Sequence, residues 1–250
     1  MVKGNMFIKF FKCEAYRDDL VNGKLYMNTN VDFSKRENKE VLSSGQYDGY
    51  EGTQLLLNPD ENTKLVVKEK NGKMCVVVEE KEDDNDISQI RNVQLGSLKN
   101  INYIYCMYTL GILENNDILE IEKIDDRILQ AFGNYFVLIL NMEEFLKRVK
   151  LALGKNGFKE EDFNRGQVEY KKNNGGAIRL GTYAKLDLFE YQKEFRISIK
   201  TNKKDKKDYI ALDIGDISDI IVYGKINDIS DICIKDNKLI IEKYNLILSV

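Results

Sequence analysis

Two stretches of this chain, Asn102 to Leu110 (NYIYCMYTL) and Tyr135 to Leu140 (YFVLIL), are apolar on both of their alternating faces. Successive side chains of a strand point to opposite sides, so such a segment must be covered on both. It belongs at the centre of a sheet with a layer above and a layer below. One cover is easy to find: Met142 to Leu153 reads as a helix capped by Asn141, with Glu144 in the first turn and Gly154 after the last. Phe145, Val149 and Ala152 fall on one face of it. Further helices are expected at Cys13 to Asn22, stopped by Gly23, and at Ile118 to Phe132, stopped by Gly133.

The remaining pattern is that of short strands, at Met6 to Phe11, Lys24 to Asn28, Thr53 to Leu57, Gln167 to Tyr170 and Phe195 to Lys200, with more from Tyr209 onward. Asn71-Gly72 joins Lys64–Lys70 to Lys73–Glu79 as a hairpin. Residues 34–52, 154–182 and the acidic 79–86 read as loops, and Lys203–Lys207 (KKDKK) as a solvated hairpin tip. A repeat of about twelve residues, Ile214–Ile220 then Ile226–Ile232, reads as strand plus aspartate-bearing turn. Nothing resembling a Pro/Gly/Ser linker divides the chain. The expectation is α+β: a single domain, residues 1–250, with a mixed, mainly antiparallel sheet flanked by a few helices.

Composition narrows the chemistry. The 250 residues contain no histidine, which excludes Ser-His-Asp and Cys-His nucleophile pairs, histidine nucleases and H-E-x-x-H metalloproteases. Cys13, Cys75, Cys106 and Cys233 form no C-x-x-C pair, so no metal site is expected and a reducing cytoplasm is the natural compartment. A net charge of −3 predicts no general affinity for nucleic acid or an anionic membrane, and no run reaches transmembrane or secretory-signal length.

Three constellations remain. Asp60, followed after a strand by Glu79-Glu80-Lys81, has the spacing of a PD-(D/E)xK nuclease, whose carboxylates hold a divalent metal. Asp48 and Glu51 lie three apart, so a turn brings both carboxylates to one side. If the strand before Lys200 starts early enough, Gln192, Glu194 and Arg196 share one face of it, opposite Phe195, Ile197 and Ile199. Such a polar face either flanks a small ligand or forms a half-exposed surface with a weak Glu194–Arg196 pair.

Gln192-x-Glu194 resembles the ADP-ribosyltransferase motif, and two other segments are similar to strands of that family. Leu25-Tyr26-Met27-Asn28 looks like its first nucleotide-contacting strand, and Tyr105–Thr109 stands where it has Ser-Thr-Ser. The resemblance implies NAD as cofactor, Glu194 stabilising the oxocarbenium-like ribose, Gln192 orienting the acceptor and Tyr26 lining the nicotinamide side. A longer resemblance, over most of residues 5–220, is to an uncharacterised bacterial domain-of-unknown-function family. It rests on Leu25-Tyr26, Asp48-Gly49-Tyr50-Glu51-Gly52, Tyr103–Thr109 and Tyr191-Gln192-Lys193-Glu194-Phe195-Arg196. Some relatives in that family neighbour mobile elements and phage-defence genes, which implies a role in phage–host conflict.

The expected catalytic residues are thus Glu194 and Gln192, with Tyr26, Asp48, Glu51 and Arg196 binding substrate. Asp48, Glu51 and Glu194 are expected in one site, where carboxylates coexist only beside a cation such as Arg196 or Arg17, or with a raised pKa. The alternatives are a non-catalytic module that binds a protein partner through a sheet edge, and the metal-dependent nuclease.

Overall fold

The computed structural model describes residues 2–30, 48, 50–51, 53–58, 63–80, 93–96, 101–115, 118–174, 176–201, 207–226, 232–235, 238–241 and 246–249. In chain order the elements are β1 (Val2–Phe11), α1 (Glu14–Val21), β2 (Lys24–Thr29), β3 (Thr53–Asn58), β4 (Thr63–Lys70), β5 (Lys73–Glu80), β6 (Val93–Gly96), β7 (Ile101–Asn115) and β8 (Ile118–Ile121). There follow α2 (Asp126–Phe132), β9 (Tyr135–Ile139), α3 (Met142–Lys155), β10 (Phe163–Gln167), β11 (Glu169–Lys171), β12 (Gly176–Arg179) and β13 (Ala184–Leu186). A 3-10 turn (Asp187–Gln192) leads into β14 (Glu194–Thr201), and β15 (Tyr209–Asp213), β16 (Ile221–Lys225), β17 (Ile232–Lys235), β18 (Lys238–Ile241) and β19 (Leu246–Ser249) complete the order.

A nine-stranded antiparallel sheet runs β10-β14-β7-β1-β9-β16, with β8 and the β2–β15 ribbon also attached through β7. The fold is α+β. Parallel pairing, expected as a minor part of the sheet, occurs among the described residues only between β11 and β13. As the two-sided hydrophobicity requires, β7 is covered on both faces. Tyr103, Tyr105 and Met107 pack with Phe145, Val149 and Ala152 of α3 and with Leu20 of α1. Tyr108, Leu110 and Ile112 point the other way, to Ile8, Phe136 and Ile128 of α2.

Helix α3 begins as its sequence dictates, with the Asn141 side chain accepting from the Glu144 N–H at 3.0 Å. Asn141→Ala is expected to cost about 1 kcal/mol of stability, read by urea denaturation. Two expectations need correcting. The helix read over 118–132 is a strand, then a helix. Ile118–Ile121 extends the β7 hairpin, and the helix starts only where Asp125 accepts from the Arg127 N–H. The segment 154–182, read as loop-rich with one strand at Gln167–Tyr170, contains three strands: β10, held on β14, and β11 meet at the expected place, and β12 is an addition. The first copy of the repeat does turn on aspartate: Asp216 accepts from Ser218 N–H at 2.8 Å, and Asp219 pairs with Arg148 at 2.6 Å. Most of the second copy's turn, and the 203–206 part of the lysine-rich tip, lie outside the described residues.

Candidate functional site

One edge of β7 is forked. Strand β1 follows it from Val2 as far as Ile8, opposite Tyr108, and continues along β9 to Phe11. Strand β2 takes up the same edge only at Asn28, opposite Ile104. Between the two, Tyr105 to Met107 have no strand partner on that side among the described residues. Helix α1 joins the diverging strands, and Gly23 closes the turn at φ +86°, its N–H donating to the Leu20 carbonyl at 2.8 Å. A cavity of about 820 Å³ opens at the fork, within the size range of small-molecule sites.

The cavity floor is polar where a core would be apolar. On β14, Glu194 and Arg196 stand opposite Tyr108 and Cys106 of β7, and Arg196 is only 1% exposed. Its guanidinium makes two parallel bonds to Glu51, at 3.0 and 2.7 Å, one to Glu194 Oε2 at 2.7 Å and one to the Thr182 carbonyl at 2.6 Å. The Lys185 ammonium donates to Glu194 Oε1 at 2.5 Å and to Gln192 Oε1 at 2.9 Å, and lies 3.7 Å from Asp48. The cluster therefore holds three carboxylates against two cations, all buried.

The excess charge shows in the titration. Burial pushes the Asp48 carboxyl up; Lys185 opposes this and the nearby Glu51 adds to it. Burial would also raise Glu194, but Arg196 and Lys185 overcome it and hold that carboxyl far below the ordinary range. The same Glu194 keeps Lys185 charged despite its burial. Cys106, on the floor, is pushed up to about 12 by burial and by Glu194, so it stays a neutral thiol.

At the other wall the outer face of the β2–β15 ribbon carries Tyr26 and Tyr209, 47% and 46% exposed. Their rings stack at 4.8 Å with 25° between planes. That is an aromatic platform open to the cavity.

All six expected residues, Tyr26, Asp48, Glu51, Gln192, Glu194 and Arg196, line this cavity. Asp48 and Glu51 are joined by a turn, Glu51 N–H to Asp48 carbonyl at 3.0 Å, with Tyr50 N–H on the Asp48 side chain at 2.9 Å. Two details differ from the sequence reading. Gln192 is not on the strand: it ends the 3-10 turn, and Lys193 in the left-handed region (φ 40°) separates it from β14. The face of Glu194 and Arg196 is buried, not half-exposed, because the 48–51 turn, β13 and the 3-10 turn cover it.

Lys185, Tyr209 and Lys9 are additions that sequence reasoning missed. Lys185 is one polar residue in a short strand, and only the register of β15 on β2 brings Tyr209 beside Tyr26. Of the proposed nuclease set, Asp60 and Lys81 lie outside the described residues, and the backbone of Glu79 pairs with Lys64 in a hairpin. Among the described residues no group of three or more Cys, Asp or Glu side chains is placed to hold a metal ion. Nor is any described helix long and apolar enough to cross a membrane. No family model, no curated protein and no solved structure matches this chain.

Proposed function

We propose that the fork cleft is a nucleotide site and that the protein is an ADP-ribosyltransferase-like enzyme acting on NAD in the cytoplasm. What carries the reading is a stacked, exposed tyrosine pair and a buried carboxylate–cation cluster lining one cavity of about 820 Å³. A planar base or nicotinamide ring stacks on Tyr26 and Tyr209, and the cluster faces the sugar and its leaving group. Gln192, held by Lys185, orients the acceptor.

For the transfer step Glu194 must exchange one partner. Both of its oxygens are engaged, by Lys185 and Arg196, so a developing oxocarbenium has to displace one of them. That same engagement favours a second reading, in which the cleft recognises a nucleotide without turning it over and Glu194 only holds the pocket. Calorimetry with NAD and with ADP-ribose, followed by assay of free nicotinamide, separates the cases. Binding with nicotinamide release supports the enzyme, binding without release the recognition protein, and absence of binding to either ligand defeats both. Tyr26→Ala is expected to weaken binding about tenfold, since base stacking contributes ~1–3 kcal/mol. Its melting temperature should barely move, the ring being half exposed.

A further inference from the structure

We infer that Lys9 is a reactive amine of this cleft, placed to condense with the carbonyl group of a bound aldehyde or ketone. Lys9 sits on β1 one residue past the last pairing with β7, so it occupies the gap of the fork and lines the cavity. Its ammonium donates to the carbonyl of Cys106 at 2.7 Å and lies 4.8 Å from the centre of the Tyr105 ring. Among the described residues no carboxylate stands within ion-pair distance of it, whereas Lys185 and Arg196 across the cavity floor each have two or more acidic partners or contacts.

The difference loosens the hold on the Lys9 proton. An ammonium enclosed by an aromatic ring and a neutral carbonyl loses its hydration without gaining a counter-charge. Burial pushes the Lys9 ammonium down; Cys106 and Glu194 act against this, but Cys106 is a neutral thiol and the Glu194 charge is already shared by Lys185 and Arg196. When it loses its proton, the amine still donates to the Cys106 carbonyl and carries a nucleophilic lone pair on a residue that lines the cavity.

The chemistry closes without an oxidant. The Nζ lone pair attacks the carbonyl carbon and forms the C–N bond, and the carbonyl oxygen becomes a hydroxyl. That oxygen leaves as water with the two amine hydrogens, and a C=N bond remains. The inference is independent of the nucleotide reading, because it requires only a carbonyl compound that fits the cavity.

The test uses the intact protein, pyridoxal 5′-phosphate as the carbonyl probe and cyanoborohydride to reduce the imine, with peptide mass mapping at neutral pH. Lys24 and Lys147, whose side chains are 60% and 66% exposed, serve as internal references. Lys9 is expected to label about tenfold faster than either, as a lysine with a lowered pKa does. The advantage should vanish when the chain is unfolded in urea, and Lys9→Arg should remove the fast site. Labelling of Lys9 no faster than Lys24 and Lys147 in the folded protein would overturn the inference, whatever Lys9→Arg does to folding.

Discussion

Replacing Arg196 by methionine is expected to destabilise the protein by about 3–5 kcal/mol, the usual effect of removing one partner from a buried ion pair. The guanidinium is the hub of the cavity floor, bonded to Glu51, Glu194 and the Thr182 carbonyl. Without it, Asp48, Glu51 and Glu194 face Lys185 alone, three negative groups against one positive. Methionine fills much of the volume, so the loss measures charge and hydrogen bonding rather than a void. Arg196→Lys should recover little, because an ammonium cannot make the two parallel bonds to Glu51. The triple replacement of Arg196, Glu51 and Glu194 by apolar residues should recover most of it. It leaves Lys185 against Asp48, one charge of each sign, and removes the groups that need desolvating. Urea denaturation of the three variants decides. If the single and triple replacements cost the same, the cluster is not acting as a coupled unit.

What could be read from sequence was whatever depends on local periodicity. The two-faced runs became β7 and β9, and Asn141 caps α3 as its spacing implied. Ile118–Ile121 misled because four apolar-rich residues fit a strand or a helix equally; the choice is made by β7, a partner the segment itself does not reveal. The juxtaposition of Asp48, Glu51 and Glu194 follows from a charge argument that names Arg196, but not Lys185, the cation that links Asp48 to Glu194. Its relevance depends on β13 packing beside the 3-10 turn. Lys9 was hidden more deeply. It reads as one polar residue in a β-run, and only the departure of β1 from β7 after Ile8 turns it into a cavity wall. A fork is a property of register, and register is set by partners far away in the chain.

Glu194→Gln is the variant that divides the catalytic from the structural role of this residue, and the structure changes what is expected of it. With both oxygens held by cations, the substitution should cost about 2–3 kcal/mol, because one end of the amide presents N–H groups to Lys185 or Arg196, donor against donor. The loss is smaller than for Arg196→Met, since two carboxylates then balance two cations. pH supplies the signature. The Glu194 carboxyl is held low in the fold, so its contribution is present above the ordinary carboxylate range and lost as pH falls through the folded value. Asp48 is raised, so its contribution runs the other way: present at low pH and lost as pH rises through its elevated value. On acidification Asp48 takes its proton first and relieves the excess negative charge, and Glu194 gives way only later. The stability gap between wild type and Glu194→Gln should therefore be widest near neutrality and close in strong acid. The variant should also remove the pressure that Glu194 exerts on Cys106, bringing that thiol's titration down from about 12. If nicotinamide release disappears while the gap is absent at every pH, Glu194 is a transferase residue free of its cations in solution. If the gap appears and NAD binding persists, the carboxylate holds the pocket open and the chemistry, where there is any, belongs to its neighbours.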